Sequence, residues 1–356
     1  MEFCFFLFIF GKICRYINTI IFTRDIRADL QLKLADFGIA DIFVLVDNNS
    51  RNFCQRSFED FGIPEEHIIT IPEGEHHKSL ESVAEIWQVL SDQGARRNAV
   101  LVNVGGGVIT DLGGFAASCF KRGIHCVNIP TTLLAQIDAS VGGKTGFDFN
   151  GLKNEIGSFA IPDWVLIDNH FLATLPERQI MSGFAEMLKH ALLADEEHLA
   201  EAMQVDFAGV AEEDFLKLIR KSVAVKAAIV QSDPREKGLR KALNFGHTVG
   251  HAIESVAIRR GLDIFHGDAV AYGMIAELFL SVQKLGFDEK HFEAVRKFIR
   301  PVYHPVAEAD ELYELMLHDK KNEQAGVNFT LIHKPGEFDI DNYCSRDEIF
   351  EALKQI

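Results

Sequence analysis

The sequence AVLVNVGGG, residues 99–107, decides the fold class. A short, largely apolar run leads directly into three glycines, and Leu112, Phe115 and Ala116 then recur at helical spacing. Such a run, without alternation of polar and apolar residues, is typical of a strand that is buried on both faces. The stretch therefore predicts a strand, a tight turn and a helix, the beginning of a βαβ unit.

Similar short apolar runs flank this turn on both sides. The other predicted strands are residues 42–46, 67–71, 127–129 and 164–167. A helical pattern begins at Leu80 and ends near Gly94, between two of these runs. Strands that alternate with helices predict a Rossmann-like α/β domain with a parallel sheet.

The pattern changes after about Leu175. Residues 178–317 show helical periodicity and no convincing strand pair, while residues 328–333 and 338–340 flank a Lys-Pro-Gly turn and predict a small hairpin. We therefore predict an apolar N-terminal extension over residues 1–25, the α/β domain over 26–176, and a mainly α-helical domain over 177–356.

Composition and charge narrow the function classes. The 356 residues are 47% hydrophobic and 25% charged, which excludes disordered, collagen-like and coiled-coil proteins. Lys and Arg number 36 against 52 Asp and Glu, a formal net charge of −16. Because an acidic chain is repelled by polyanions, this balance argues against nucleic-acid or membrane-surface binding. A small anionic metabolite can still bind where basic side chains are concentrated.

The cysteines and the N-terminus bear on the compartment. Six scattered cysteines form no CxxC pair and suggest no disulfide framework, which favours the cytoplasm. The apolar run at residues 3–10 is shorter than the roughly 20 residues that a membrane span needs. We favour a buried first strand or an upstream extension of the gene over the alternative of a membrane anchor.

Two sets of residues in the α/β half point to anion binding. The glycines at 105–107 let a backbone approach a phosphate at a helix start, although the spacing GGGxxxD differs from GxGxxG, and a ligand-free tight turn is the alternative. Residues 138–154 place Lys144 and Lys153 among glycines in a predicted loop after Thr131 and Thr132. The alternative for this loop, as for Glu75 and Lys78 after another strand, is a solvated charged surface.

The helical half supplies candidate metal ligands. Glu186 lies three residues before Lys189 on one helical face, and His247 lies four residues before His251 on another. His266 adds a third histidine. A catalytic zinc ion is often held by one carboxylate and two imidazoles, which this group of residues can supply. The alternative is that the histidines are packed core residues. A nicotinamide or nucleotide cofactor, a divalent metal and an anionic, hydroxylated substrate would together suit oxidation of an alcohol.

The motifs together resemble the 3-dehydroquinate synthase family of the sugar-phosphate cyclase superfamily. The motifs in order are PEGEHHK, GGGVITDLGGFAAS, IPTTLLAQIDASVGGKTG, GLKNEIGSF, GFAEMLKH, RKALNFGHTVGHAIE and HGDAVAYGM. The resemblance covers about residues 42–331. It implies an NAD-binding α/β half, a helical half that binds metal and substrate, and a homodimer.

The resemblance also implies residue roles. The NAD contacts would be Asp47, Asn49, Glu75, Lys78, Gly106, Gly107, Val108, Asp111, Thr131, Thr132, Lys144, Lys153, Phe171 and Thr174. Zn²⁺, which Co²⁺ can replace, would be held by Glu186, His247 and His266. The residues that hold and process substrate would be Asp138, Asn154, Lys189, Lys226, Arg240, Asn244 and His251. Arg122 matches an arginine that reaches a neighbouring subunit's site, and Lys320 or Lys321 a phosphate contact.

The implied reaction converts 3-deoxy-D-arabino-heptulosonate 7-phosphate to 3-dehydroquinate, a step of the shikimate pathway. NAD oxidises a ring hydroxyl, phosphate is eliminated, NADH returns the hydride, and an aldol step closes the ring, without net redox change. This chain has Asp148 where many relatives have Asn, and Asp268 where many have Glu.

Three alternatives remain open. Another sugar-phosphate cyclase would alter the carboxylate- and phosphate-binding residues. This chain keeps Lys153, Asn154, Arg240 and Asn244, which favours the shikimate-pathway substrate. A metal-dependent glycerol or alcohol dehydrogenase would need few cations in its pocket. A nucleotide-binding regulator would be favoured by loss of a metal ligand, and none of the three is lost.

Overall fold

The computed structural model describes residues 19–52, 61–150, 152–300, 309–317 and 326–356. The chain divides into two compact units. The first comprises Met1–Leu175 with Val210–Leu216, and the second comprises Pro176–Gly209 with Lys217–Ile356.

The first unit is built on a parallel sheet. Its elements are β1 (Ile20–Phe22), α1 (Ile26–Leu34), β2 (Ile42–Asp47), β3 (Ile68–Ile71), α2 (Leu80–Asp92), β4 (Val100–Gly105), α3 (Gly107–Cys119), β5 (His125–Pro130), β6 (Lys144–Phe149), β7 (Leu152–Phe159) and β8 (Trp164–Ile167). Six strands form one sheet in the order β1-β8-β5-β4-β2-β3, and every pair is parallel. The predicted α/β fold with a parallel sheet is confirmed.

Burial on both faces explains the continuous apolar runs. Phe43 and Leu45 of β2 belong to one hydrophobic cluster, together with residues of α2 and α3. Val44 and Val46 of the same strand belong to a second cluster, which includes Leu30 of α1. Because successive side chains of a strand point to opposite faces, both faces of β2 need apolar residues.

The sheet begins earlier than the sequence predicts. β1 pairs with β8, with Ile20 opposite Val165, so the predicted extension over residues 1–25 includes a strand of the sheet. Three residues are too few to show a strand pattern. The apolar run at residues 3–10 lies outside the described residues.

The predicted glycine-rich loop over residues 138–154 is wrong for its second half. β6 and β7 form an antiparallel hairpin in which Gly146 lies opposite Gly157. A Cβ atom on Gly146 would lie 2.3 Å from the carbonyl oxygen of Ile156, so close strand approach requires glycine here. Since most of β7 is exposed, no buried apolar pattern marks it as a strand.

The second unit is mainly helical. Its elements are α4 (Glu177–Ala194), α5 (Glu196–Ala202), α6 (Glu213–Ser232, which belongs to this unit from Lys217 onward), α7 (His247–Arg259), α8 (His266–Leu285), α9 (Glu289–Ile299), α10 (Ala309–Leu317), β9 (Val327–Lys334), β10 (Glu337–Cys344) and α11 (Arg346–Leu353). β9 and β10 form the predicted hairpin. Among the described residues, no helix is long and apolar enough to span a bilayer.

Candidate functional site

In the first unit, the carboxyl edge of the parallel sheet collects most of the predicted cofactor residues. Asp47 ends β2, the glycine turn follows β4, Thr131 and Thr132 follow β5, and Phe171 and Thr174 lie in the helical turn after β8. The strands β8, β5, β4 and β2 are consecutive in the sheet. Because the carboxyl ends of parallel strands lie at the same edge, these residues lie along one edge of the sheet. Asn49 lies two residues beyond β2.

The glycine turn between β4 and α3 is suited to an anion. A Cβ atom on Gly105 would lie 2.6 Å from Ile109 Cγ1, and one on Gly106 would lie 3.1 Å from Thr132 Cγ2. Gly106 is the N-cap of α3 and Gly107 its first residue, followed by Val108. A helix start without a capping side chain leaves backbone N–H groups for a phosphate, so this turn fits a dinucleotide.

Lys78 connects three predicted site residues. Its Nζ donates to Asp111 Oδ2 at 2.6 Å and to Asn154 Oδ1 at 2.6 Å. Burial lowers the pKa of Lys78, but the charges of Asp111 and then Glu75 outweigh burial and raise that pKa above its ordinary value. Lys78 is therefore a buried cation at neutral pH.

The β6–β7 hairpin completes this network. Asn154 N donates to Asp148 Oδ1 at 2.7 Å, and Asp148 N donates to the Lys78 carbonyl at 2.8 Å. Burial raises the pKa of Asp148. Lys153 of β7 lies 3.6 Å from Glu75 Oε1, while Lys144 is the first residue of β6. Asp138 lies in the π-helical turn Ala135–Ala139.

The second unit brings the three predicted metal ligands together. Glu186 of α4, His247 of α7 and His266 of α8 each offer a ligand atom, and these atoms all lie within 4.8 Å of one another. The Nε2 atoms of His247 and His266 lie 3.4 and 3.5 Å from Glu186 Oε1. One carboxylate with two imidazoles is a donor set that zinc favours in catalytic sites.

The Nδ1 atoms of His247 and His266 both face hydrogen-bond acceptors, which favours metal binding at the Nε2 atoms. His247 Nδ1 lies 3.1 Å from the Phe245 carbonyl, and His266 Nδ1 lies 3.5 Å from Glu254 Oε2. A proton held at Nδ1 by an acceptor leaves the Nε2 lone pair for a metal. The residues present therefore fit a divalent cation at Nε2 of both rings and the carboxylate of Glu186.

The two histidines differ in their affinity for protons. Burial, followed by the charge of Lys189, lowers the pKa of His247 well below its ordinary value. Burial also opposes protonation of His266, but hydrogen bonds to Glu186 and Glu254 outweigh it and raise the pKa of His266 to about 10. A metal at His266 must therefore displace a proton.

Lys189 and His251 lie beside this cluster, whereas Arg240 and Asn244 form hydrogen bonds with other residues. Lys189 Nζ forms an ion pair with Glu186 and donates to the Leu243 carbonyl at 2.9 Å. The ring of His251 lies 5.2 Å from that of His247. Arg240 and Asn244 lie in the turn Leu239–Asn244, close before α7 in sequence. Arg240 donates to Pro234 O, Asn244 donates to Glu236, and Lys226 is buried on α6.

Arg122 is predicted to reach the site of a neighbouring subunit, and the structure describes its position in the fold. Arg122 follows α3 in a left-handed conformation, with φ of 70°, just before β5 begins. It therefore lies at the amino edge of the sheet, opposite the glycine turn, and does not join the site residues of its own chain. Lys320 and Lys321 lie outside the described residues.

Two buried carboxylates beside the candidate ligands, Glu254 and Glu277, are not predicted from the sequence. Glu254 contacts His266, and Glu277 of α8 accepts hydrogen bonds from the start of α7. Glu254 lies seven residues after His247, which places both on one helical face and was a usable signal. Glu277 contacts a different helix, so no spacing in the sequence reveals its partners.

Comparisons with known proteins agree with this geometry. The family models described as 3-dehydroquinate synthase N-terminal and 3-dehydroquinate synthase C-terminal match residues 68–182 and 183–322. The 3-dehydroquinate synthase of Parabacteroides distasonis is 44% identical over 339 residues, covering 94% of this chain and 96% of the relative. The chain belongs to the 3-dehydroquinate synthase family. The predicted resemblance is thereby confirmed.

Other similar proteins extend this result. The 3-dehydroquinate synthase of Thermococcus kodakarensis is 43% identical, covering 76% of each chain. A 2-epi-5-epi-valiolone synthase from Streptomyces hygroscopicus, solved with NAD⁺ and Zn²⁺ bound, is 28% identical with a TM-score of 0.79, covering 94% of this chain and 95% of that one. A glycerol dehydrogenase from Schizosaccharomyces pombe, 15% identical with a TM-score of 0.63, covers 94% of this chain and 87% of its own and shares the fold alone.

Proposed function

We propose that this protein is a carbon–oxygen lyase that converts 3-deoxy-D-arabino-heptulosonate 7-phosphate to 3-dehydroquinate and phosphate. The observation that carries the proposal is the convergence of His247 Nε2 and His266 Nε2 on Glu186 Oε1 in a member of this family. The metal ligands would be these three residues, with Zn²⁺ or Co²⁺ bound. NAD would bind at the glycine turn of the first unit, as supported by the NAD⁺ and Zn²⁺ in the 2-epi-5-epi-valiolone synthase structure.

The cofactors supply two kinds of chemistry. A bound divalent cation acidifies an alcohol and polarises a carbonyl, and NAD accepts and returns a hydride. The protein must bind the cofactors, keep charges in place and hold one conformer of the substrate.

The residues of the first unit would hold NAD and part of the substrate. Lys78 is a cation at neutral pH and donates hydrogen bonds of 2.6 Å to Asp111 and Asn154. The side chain of Asn154 is thereby oriented before ligands bind, which lowers the entropy cost of binding. The N–H groups at the start of α3 would receive the pyrophosphate.

The cationic residues of the second unit would hold the anionic substrate. Lys189, Lys226 and Arg240 are at most 6% exposed, so water screens their charges weakly. Together with Asn244 and His251, they would bind the carboxylate and phosphate groups and fix the reactive conformer. A glycerol dehydrogenase acts on a neutral alcohol and has no need of these buried cations.

A homodimer and a cytoplasmic location are part of the proposal. The hairpin of the first unit exposes Leu152 and Phe159 by 53% and 59%, and exposed apolar side chains of this kind favour an interface. Arg122 would then reach the site of the neighbouring subunit. Cys119, Cys126 and Cys344 are free thiols, in keeping with a reducing compartment.

The test measures phosphate release from 3-deoxy-D-arabino-heptulosonate 7-phosphate with catalytic NAD, with and without a chelator, while NADH absorbance is followed. We expect chelator-sensitive release without accumulation of NADH. No release from this substrate, but release from sedoheptulose 7-phosphate, would indicate another sugar-phosphate cyclase. Steady NADH formation with glycerol would indicate a dehydrogenase.

A further inference from the structure

The start of helix α7, where the metal ligand His247 lies, has no capping side chain of its own. The N-cap is Gly246, in a left-handed conformation with φ of +80°. A Cβ atom there would lie 2.7 Å from Met274 Cγ and 3.0 Å from the Val270 carbonyl, both on α8. A Ser or Asp cap therefore has no room, although the first N–H groups of a buried helix need acceptors.

Glu277 of α8 provides the missing acceptors. Its Oε2 accepts from Gly246 N at 2.6 Å, and its Oε1 accepts from Thr248 N at 3.1 Å. The side chain is fully buried. A carboxylate at a helix N-terminus is stabilised by the helix dipole, and hydrogen bonds that it accepts from N–H groups are strong.

The position of this contact gives it a consequence for the metal site. Gly246 and Thr248 are the two neighbours of His247 in the chain, so one carboxylate fixes the backbone on both sides of the ligand. Glu277 also lies eleven residues, about three helical turns, after His266 on the same helix. The helix that carries one ligand therefore holds the backbone of the other.

A second carboxylate, on α7, contacts the histidine on α8. Glu254 of α7 lies 3.5 Å from His266 Nδ1, so α7 in turn orients the ligand on α8. Glycines allow the two helices to approach closely, since a Cβ atom on Gly273 would lie 1.9 Å from the Gly246 carbonyl. Two buried carboxylates thus connect α7 and α8 around the two histidines.

We propose that Glu277 is a positioning residue for the metal site, acting through the backbone on either side of His247. This inference rests on the proposed function, because it assumes that Glu186, His247 and His266 bind a divalent cation. A carboxylate held in this way restricts the position of His247 Nε2 before the metal arrives. The affinity and the coordination geometry of the metal should therefore depend on Glu277.

The test compares full-length wild type with Glu277→Ala, Glu277→Gln and the control Ser281→Ala. Ser281 is buried on the same helix, donates to the Glu277 carbonyl at 2.7 Å and accepts from Ile332 N at 3.0 Å, so its loss removes two buried hydrogen bonds but leaves the Glu277 carboxylate in place. The measurements on metal-free protein are the Zn²⁺ dissociation constant, by competition with a chromophoric chelator, and the visible absorption spectrum after Co²⁺ addition. Circular dichroism and urea unfolding report the fold and its stability.

We expect Glu277→Ala to weaken Zn²⁺ binding roughly tenfold or more and to change the Co²⁺ spectrum, as loss of partners outside the ligand set does in other metal sites. Glu277→Gln should be intermediate, because its one carbonyl oxygen retains part of the acceptor set. If Glu277→Ala does not fold, Glu277→Gln carries the test. Zn²⁺ affinities within twofold of Ser281→Ala, with an unchanged Co²⁺ spectrum, would overturn the inference. Absence of Zn²⁺ binding by wild type would instead overturn the proposed function.

Discussion

Lys78 Nζ and Asp111 Oδ2 lie 2.6 Å apart, and the side chain of Lys78 is only 6% exposed. Lys78 follows β3, whereas Asp111 lies in the first turns of α3, the helix that begins at the glycine turn. The ion pair therefore connects the segment after β3 to helix α3, which begins at the candidate phosphate-binding turn after β4. Removing either partner leaves a charge in a site that water reaches poorly.

Replacing Lys78 by Met should weaken NAD binding and lower the free energy of unfolding. Loss of a charged hydrogen bond to both Asp111 and Asn154 should weaken NAD binding about tenfold or more. The free energy of unfolding should fall by roughly 3 kcal/mol, near the lower limit for breaking a buried pair. NAD titration and urea unfolding measure both effects. Lys354→Met, at an exposed ion pair, is the control, and equal NAD affinity in the two variants would contradict the role of Lys78.

Asp148 offers a test through pH. Burial raises its pKa above the ordinary value of 3.8, so ionisation of Asp148 opposes folding at neutral pH. Asn is never ionised, and therefore Asp148→Asn should be more stable than wild type at pH 7. That advantage should disappear as the pH falls towards 3.8 and the wild-type carboxyl becomes protonated. Urea midpoints at several pH values measure the difference, and an advantage that grows on acidification would contradict it.

The same residue also affects substrate binding. Asp148 Oδ1 holds the backbone of Asn154, which has a left-handed φ of 50°. Asp148→Asn keeps an acceptor oxygen, whereas Asp148→Ala removes it. We expect KM for the sugar phosphate to rise about fivefold in Asp148→Ala, the equivalent of one hydrogen bond of about 1 kcal/mol, and to change little in Asp148→Asn. Equal KM values in the two variants would contradict this role.

The sequence predicts an element well where burial imposes its pattern. β2 and β4 are buried on both faces and appear as apolar runs at the predicted positions. β7 is almost wholly exposed, so its residues carry no such pattern, and the hairpin was predicted as a loop. β1 is a strand because it pairs with β8, with Ile20 opposite Val165. Residues about 145 apart in the chain make this contact, and local periodicity does not predict it.

The same distinction applies to the site. The sequence predicts Glu186, His247 and His266 as candidate metal ligands, and the structure brings one ligand atom of each within 4.8 Å of the others. Glu277 meets the start of α7 because α7 and α8 pack closely through glycines. That packing is a property of the folded chain, so the contact of Glu277 with the start of α7 is harder to predict than the candidate ligands themselves.

Loss of one metal ligand should separate metal binding from folding. His247→Ala removes a donor of low proton affinity, and kcat/KM should fall roughly a thousandfold, since a bound cation contributes several kcal/mol to such reactions. His333→Ala, at a half-buried histidine of β9 that pairs with Asp339, is the control. A chelator should reduce wild type and His333→Ala to the level of His247→Ala, and Zn²⁺ should restore only those two. Restoration of His247→Ala by stoichiometric Zn²⁺ would contradict the ligand assignment.

A substitution at Gly267 tests whether the close contact between α4 and α8 sets the distance between the candidate ligands Glu186 and His266. It follows His266, and a Cβ atom on it would lie 2.1 Å from the carbonyl oxygen of Ser182, one helical turn before Glu186. Gly267→Ala must therefore push α8 away from α4 beside both ligands. We expect unfolding free energy to fall by about 1–3 kcal/mol, as for other overpacked sites, and Zn²⁺ affinity to fall with it.

Two controls distinguish this displacement from general loss of stability. Gly38→Ala, at an exposed glycine where an added Cβ atom would make only an ordinary contact, 3.7 Å from Asp41 Oδ2, should change stability by no more than about 0.5 kcal/mol. Leu280→Ala removes a buried side chain of α8 and should cost about 2–5 kcal/mol, but it leaves the crossing at Gly267 in place. If the α4–α8 contact sets the ligand spacing, Gly267→Ala loses more Zn²⁺ affinity than Leu280→Ala even where its loss of stability is smaller. A Zn²⁺ affinity that follows stability alone across the three variants would show that the close approach is needed for packing and has no separate effect on the metal.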